Sequence, residues 1–154
     1  MAGPYRCTVT IDGTKFGAVS SSVQFSTDKD RSGTPQMGSL NTTIRLWADF
    51  HDDQNLPFSA IKKLFDLANV VTLDKIKPMK IEFWKDDSRQ DALCSYSFNG
   101  WVRRFETTNP IDLVADLDTD QHFRGIAPQL NHMLVLDLEP AMNQKNFKEI
   151  KMSN

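Results

Sequence analysis

The chain opens on a period of two. Tyr5, Cys7, Val9 and Ile11 alternate with Arg6, Thr8, Thr10 and Asp12, the pattern of a strand buried on one face. Asp12-Gly13 tolerates the positive φ angles of a tight turn, so a hairpin is predicted there. The return strand carries Val19, Ser21, Val23 and Phe25 on one face. From Thr27 to Ser39 the period is lost in a charged, then Gly/Ser/Pro-rich stretch, which reads as a long loop or protruding arm. Loops of that length in a compact chain usually carry function or are held by a partner. Asn41 to Asp49 resumes the alternation, with Thr42, Ile44, Leu46 and Ala48 opposed to Thr43, Arg45, Trp47 and Asp49.

The period then changes once. Ile61, Leu64, Phe65 and Ala68 fall at i, i+3, i+4 and i+7, one apolar stripe of a helix over about Pro57 to Asn69. Pro57 suits the first turn and Asn69 a left-handed C-terminal position. A helix this short does not persist alone. It must pack on the sheet or plug the end of a barrel.

Strand patterns follow to the end. Val70 to Ile76 reads as a strand that Pro78 interrupts, and Met79, Ile81 and Phe83 then alternate with Lys80, Glu82 and Trp84. Lys85 to Asp91 is a charged turn, after which Ala92, Cys94, Tyr96 and Phe98 alternate with Leu93, Ser95 and Ser97. Asn99-Gly100 is either a tight turn or a bulge continuing into Trp101 to Glu106. Asn109-Pro110 breaks the pattern, and Ile111, Leu113, Ala115 and Leu117 line one more face. Gln121 to Gln129 is a loop, and Leu130, His132, Leu134, Leu136 and Leu138 form the last strand. After Pro140 the tail is polar and is expected to fray unless a neighbour holds it. No repeat or linker divides residues 1–154, so a single domain is expected. The predicted fold is mainly β: a small β-barrel or two-sheet sandwich with one short α-helix and a long extended loop.

Composition narrows the function classes. Eighteen basic and twenty acidic residues leave a net charge of -2, without the basic face that nucleic-acid binding requires or a polybasic membrane signal. No apolar run approaches the roughly 20 residues that span a bilayer. The N-terminal residues lack a charged segment followed by an apolar one, so no secretory signal is expected and folding in the cytoplasm is. Cys7 and Cys94 then read as buried thiols rather than a disulfide.

Candidate chemistry is sparse, and no cofactor or metal is expected. Asp116, Asp118 and Asp120 resemble the start of a calcium loop, but Gln121 stands where glycine is needed and Ala127 where the bidentate acid is needed. His51-Asp52-Asp53 is explained by a polar loop between strand and helix, with no second ligand cluster evident. His122 and His132 lack helical ligand spacing, and His132 reads as a hydrogen-bonded core or interface residue on the last apolar face. Nothing supports a Cys94/His132 catalytic pair, and neither a G-x-S-x-G elbow nor a phosphate loop is present. The catalytic set is therefore empty and an enzyme is not expected. Trp47, Trp84 and Trp101 lie on strand segments of mixed charge, which favours interface, lumen or core packing over a base-stacking platform.

The order of elements resembles the haemolysin-coregulated (Hcp) tube proteins of type VI secretion systems and the related tail-tube proteins of contractile phages and injection particles. The residues that carry the resemblance are Val23-Gln24-Phe25-Ser26-Thr27-Asp28-Lys29-Asp30 running into Gly33-Thr34-Pro35, and the strand-to-helix step from Trp47 to Asp66. Ile81-Glu82-Phe83-Trp84, Cys94 to Val102, Asn109-Pro110 and His132 to Pro140 carry the rest. Asp28 to Pro35 is the most specific piece and is similar to the region before the extended loop in Bacteroidetes-type versions. The resemblance implies a homo-oligomer of six-membered rings stacked into a hollow tube, with contractile sheath, spike, baseplate and effector cargo as partners. It also implies assembly in the cytoplasm and export without a signal peptide. Asp28, Lys29, Asp30, Arg31 and Met37 would then form the ring-stacking loop, where charged pairs set register more than affinity. Two rival readings are a monomeric barrel binding a small apolar ligand at a mouth of Trp84, Tyr96 and Trp101, and a zinc- or calcium-dependent enzyme.

Overall fold

The computed structural model describes residues 5–36, 41–108, 132–141 and 151–154. In chain order these form β1 (Cys7–Ile11), β2 (Thr14–Ala18), β3 (Ser20–Ser26), β4 (Asn41–Asp49), α1 (Phe58–Ala68) and a 3-10 turn (Leu73–Lys75). Next come β5 (Lys77–Trp84), β6 (Ala92–Thr108), β7 (Met133–Pro140) and β8 (Lys151–Ser153). The fold is mainly β, with one helix and an antiparallel sheet, as the alternation predicts.

The hairpin forms where expected. Asp12 (φ 49°) and Gly13 (φ 81°) make the turn, and β1 and β2 pair from Ile11 opposite Thr14 to Cys7 opposite Ala18. The return strand does not continue in that partnership. Strand order is β2-β1-β5-β6-β7-β4-β3, so β2 and β3 stand at opposite ends of the sheet although only Val19 separates them. The sheet must curl until its ends meet at this corner, where the Val19 N–H donates to the Trp47 carbonyl at 2.8 Å. The single-face strand Val19 to Phe25 is thereby corrected: the segment 14–26 bends at Val19 and serves both ends of a barrel.

The inward sets of these strands fill the barrel. Val9, Ile11, Phe16, Ile44, Leu46, Ile81, Val102, Leu134, Leu136 and Leu138 are all buried in one cluster. Burying each such side chain is worth about 1.5–3 kcal/mol. Cys7 is buried and Cys94 half-buried, both as free thiols. Burial raises the Cys7 thiol pKa, partly opposed by a hydrogen bond with Ser21 across the corner.

The helix begins after Pro57, an extended N-cap, and its last turn closes with the Asn69 N–H bonded to the Phe65 carbonyl. Its buried face is Ala60, Ile61, Leu64 and Leu67, one column away from the predicted stripe. Phe65 stays 46% exposed, at the border of the contact, edge-on to Phe105 of β6 at 5.5 Å between centroids. The Lys63 ammonium reaches the Asp12 carbonyl at 3.1 Å, so α1 covers the core between the β1–β2 turn and the second half of β6.

Three other expectations change. Asn69 is extended (φ -86°), and the left-handed residue is its neighbour Val70 (φ 56°). Val70 to Ile76 is not a strand: Leu73–Lys75 is a 3-10 turn, and Lys75 returns its ammonium to the Asp66 and Asn69 carbonyls at the helix end. The Pro78 interruption vanishes because β5 starts at Lys77, where a strand tolerates proline, and the Pro78 carbonyl accepts from Asp12 N–H at 2.9 Å.

Of the two readings of Asn99-Gly100, the continuous one holds. β6 runs from Ala92 to Thr108 and pairs with β5 in its first half and β7 in its second. Its bulge lies between Val102 and Arg104. Gly100 is needed because the strands pass closely, and a Cβ there would sit 2.4 Å from the Glu139 carbonyl oxygen. The tail end does not fray: β8 pairs with Ser95–Ser97, continuing the β6 edge where β7 leaves it, and Ser153 and Ser95 hydroxyls meet at 2.8 Å. The face from Ile111 to Leu117, the loop 121–129 and Leu130 lie outside the described residues.

Gly100→Ala is expected to lower stability by about 1–3 kcal/mol, the usual cost of overpacking, whereas Asn99→Ala on the exposed side of the same strand leaves it near wild type. Urea denaturation midpoints of the two variants measure the difference, and equal midpoints would show that β6 and β7 can separate freely at this point.

Candidate assembly surfaces

The arm between β3 and β4 is a hairpin fastened to itself. Lys29 and Pro35 form an antiparallel bridge, with Asp30 N–H on the Thr34 carbonyl at 2.8 Å and Gln36 N–H on the Asp28 carbonyl at 2.7 Å. The Asp30 carboxylate closes the tip. One of its oxygens accepts from Ser32 N–H (2.9 Å), Ser32 Oγ (2.6 Å) and Thr34 N–H (2.9 Å). Asp28 accepts from the Asn41 side chain at the root of β4. Residues 24–36 are all exposed, so local hydrogen bonds and not core packing give this segment its shape.

These contacts sort the candidate loop residues. Asp28 and Asp30 spend their carboxylates inside the arm, while Lys29 and Arg31 are exposed and make no ion pair among the described residues. Met37 lies outside the described residues. The Ser32 hydroxyl, then the tip N–H groups, hold the Asp30 pKa below the usual carboxylate value. A depressed pKa means the fastening is fully present above the ordinary value of about 3.9 and is lost only as pH falls through the lowered one. The tip is thus closed at every pH near neutrality.

The outer face of the barrel carries a charged seam that alternation alone did not reveal. Arg45 (β4), Asp137 (β7) and Arg104 (β6) are register neighbours. Arg45 grips Asp137 with two nitrogens at 2.8 and 3.2 Å, and Arg104 adds a longer pair to Asp137 at 3.8 Å and a close one to Glu106. Arg103, extruded by the bulge, reaches Glu139 at 3.8 Å. Burial raises the Glu139 pKa, and Arg103 works against that shift. Two-nitrogen arginine contacts carry more energy and orientation than ordinary surface pairs.

The three tryptophans do not gather. Trp47 lies opposite Val135 and Trp101 opposite Glu139 on the outer face, and the Trp84 indole N–H donates to Thr8 at 2.9 Å. No ring contact joins any two of them among the described residues. All three are half-buried. Tyr96 faces inward instead, 5.8 Å from Phe25 and 6.1 Å from Phe83 between centroids. Trp84, Tyr96 and Trp101 therefore do not line one mouth, because the pleat sends Tyr96 to the opposite side of the sheet from the two tryptophans.

Sheet edges are partly sealed. Asn55 pairs with the Gly17 backbone like a strand residue, its oxygen accepting from Gly17 N–H (2.7 Å) and its nitrogen donating to Gly17 carbonyl (2.9 Å). Tyr5 donates to Asp52 at 2.8 Å beside it, and burial, then that bond, pushes the Tyr5 pKa upward. Among described strands β3 pairs with β4 alone, and Phe25 on it is 40% exposed. A second exposed apolar group, Val70, Val71 and Leu73, follows the helix.

The core reading of His132 is corrected, while its hydrogen bond is present: β7 begins at Met133, so His132 stands exposed at the rim, and its Nδ1 lies 2.8 Å from His51 Nε2. Among the described residues no group of three or more His, Cys, Asp or Glu could hold a metal. Asp116, Asp118, Asp120 and His122 lie outside the described residues. No described helix is long and apolar enough to cross a membrane.

Among solved structures the chain is similar to Hcp1 from Flavobacterium johnsoniae, with a TM-score of 0.55 and 12% identity over 88% of this chain and 90% of that one. It is also similar to a second crystallised Hcp protein, with a TM-score of 0.53 and 8% identity over 87% of this chain and 86% of that one. The chain has the Hcp fold. The likeness is in the folded backbone, and no family model or curated sequence matches. An Hcp-like barrel therefore carries the arm, the charged seam and the open β3 edge described above.

Asp30→Ala should leave the melting temperature unchanged and speed hydrogen exchange at the Ser32 and Thr34 amides, because the arm is fastened locally. Unaltered exchange at both amides would show that the carboxylate does not hold the tip.

Proposed function

We propose that this chain is the inner-tube subunit of a contractile injection machine of the type VI secretion kind. The observation that carries the reading is an Hcp-like fold over 88% of the chain whose arm is exposed and already shaped. In this reading six copies join through sheet edges and outer faces into a ring, and rings stack into a hollow tube. A head-to-tail ring pairs edges that would otherwise be aggregation sites. Among the described strands β3 pairs with β4 alone and β8 with β6 alone, and these two would be the edges left to neighbours.

The arm would reach the next ring. A segment ordered in advance loses little entropy on docking, and Lys29 and Arg31 are the charges it has free to offer. Asp28 and Asp30 shape the arm that presents them. The near-neutral net charge of -2 avoids strong repulsion between stacked copies. Sheath, spike, baseplate and effector cargo would be the partners, with assembly in the cytoplasm followed by export. The function lies in surfaces, and no catalytic residue is assigned.

Negative-stain electron microscopy of concentrated protein, beside size-exclusion chromatography, is expected to show rings or stacked hollow tubes. A monomer near 17.5 kDa at every concentration would overturn the reading. In a ring-forming preparation, Lys29→Ala with Arg31→Ala should preserve rings and shorten tubes, and tubes of unchanged length would remove the arm from the stacking contact.

A further inference from the structure

Every neighbouring pair of strands in the order β2-β1-β5-β6-β7-β4-β3 shares a ladder, and among the described residues no ladder joins the two ends of that order. Isolated bonds shut the curled sheet instead. Val19 N–H donates to the Trp47 carbonyl at 2.8 Å. Two residues earlier, Gly17 is met by Asn55, whose amide accepts from the Gly17 N–H at 2.7 Å and donates to its carbonyl at 2.9 Å. Ile11 and Thr14 flank a two-residue turn, and ladder bonds alternate from there, so Thr8 opposite Gly17 is a pair without them. Both Gly17 groups therefore point to the free edge of β2, where a further strand would take them.

The segment that meets this edge is braced by contacts that depend on one another. The Asp52 carboxylate accepts from the Tyr5 hydroxyl through one oxygen at 2.8 Å and from the Asn55 N–H through the other at 3.2 Å. The Asp52 carbonyl accepts from Leu56 N–H at 2.8 Å, and the Leu56 side chain is buried in the core. The Tyr5 ring lies on the Gly17 backbone, where a Cβ would stand 2.4 Å from ring carbons. Phenol, carboxylate, amide and glycine backbone thus close a circuit that runs from the residues before β1, through the segment after β4, to β2.

We propose that Asp52 to Asn55 form a latch over this seam, which holds the ends of the sheet together and keeps the β2 edge from adding a strand of a second copy of this chain. An open edge invites strand addition, and covering it with a loop is one way proteins prevent it. Asn55 does so with the donor and acceptor that a strand would bring. A free edge of the kind β3 presents, paired with β4 alone among the described strands, offers the same groups from another copy. Asn55 competes well because it belongs to the same chain and Asp52 orients it, so little entropy is lost when it binds. The seam has few bonds beside the ladders, so it is the place where the barrel opens locally. The latch makes the two ends of the sheet unequal: the β2 edge is shut and the β3 edge stays available.

Amide hydrogen exchange of the full chain tests the latch at Val19 N–H, whose own acceptor none of the variants alters. Asn55→Ala removes both bonds to Gly17 and should speed Val19 exchange about 10- to 100-fold, the effect of two lost hydrogen bonds on an opening equilibrium. Tyr5→Phe removes only the bond to Asp52 and should speed it severalfold. Gly100→Ala, which strains the sheet away from the seam, should leave the Val19 rate at wild type. Sedimentation velocity over a concentration series tests the guarded edge: Asn55→Ala should form larger species that wild type and Gly100→Ala lack. Circular dichroism should show all three variants folded. Unchanged Val19 exchange in both Asn55→Ala and Tyr5→Phe, or equal acceleration in Gly100→Ala, would overturn the latch. Sedimentation of Asn55→Ala identical to wild type at every concentration would overturn the guard. Each variant is compared with wild type, so the outcome does not depend on whether the chain forms rings.

Discussion

The constraint on which the structure depends is the corner at Val19. β2 and β3 are consecutive in the chain yet occupy opposite ends of the strand order. A sheet whose two ends are one residue apart has no choice but to curl. Closure by covalent continuity costs little loop entropy, because the connection is as short as a connection can be. The inward sets of the strands then face one another and form a single core, with α1 closing its side.

The same corner decides what remains outside. With β1 engaged by both β2 and β5, and the Gly17 edge met by Asn55, few backbone groups are left for a neighbouring chain. Among the described strands β3 and β8 are the exceptions. β3 leaves the barrel at the corner, holds β4 along one side and leads into an arm whose described residues are all exposed. Such an element would normally be floppy. Here Asp28 and Asp30 supply the order that packing does not, through hydrogen bonds that commit both carboxylates to the arm and its root. Arg45, Asp137 and Arg104 do the same for the outer face, tying three strands into one charged seam.

Much of this was legible as periodicity. The strands containing Cys7 to Ile11, Asn41 to Asp49, Ala92 to Phe98 and Leu134 to Leu138 are where alternation put them, because each buries one face and the pleat makes that visible. The Asp12-Gly13 turn was legible because its chemistry is local. The errors were of another kind. Val70 to Ile76 is rich in strand formers, yet it crosses from α1 to β5 without a partner to pair with, and Lys75 fastens it to the helix end. Asn99-Gly100 has turn chemistry, but close passage of β7 gives the glycine another use. The polar tail ends in a strand because an unoccupied stretch of β6 accepts it, which is a property of β6 and not of the tail.

The candidate surfaces divide along the same line. The sequence by itself determined the β-rich class, the single helix, the exposed arm and the absence of recognisable catalytic motifs, since each follows from composition or from patterns within about a dozen neighbouring residues. Tertiary structure alone decided which way the segment at Val19 bends, which outer-face charges meet, that the tryptophans stay apart and that His51 faces His132. Those depend on strand order and register. Alternation specifies a buried face, but it does not say which other strand will lie beside it.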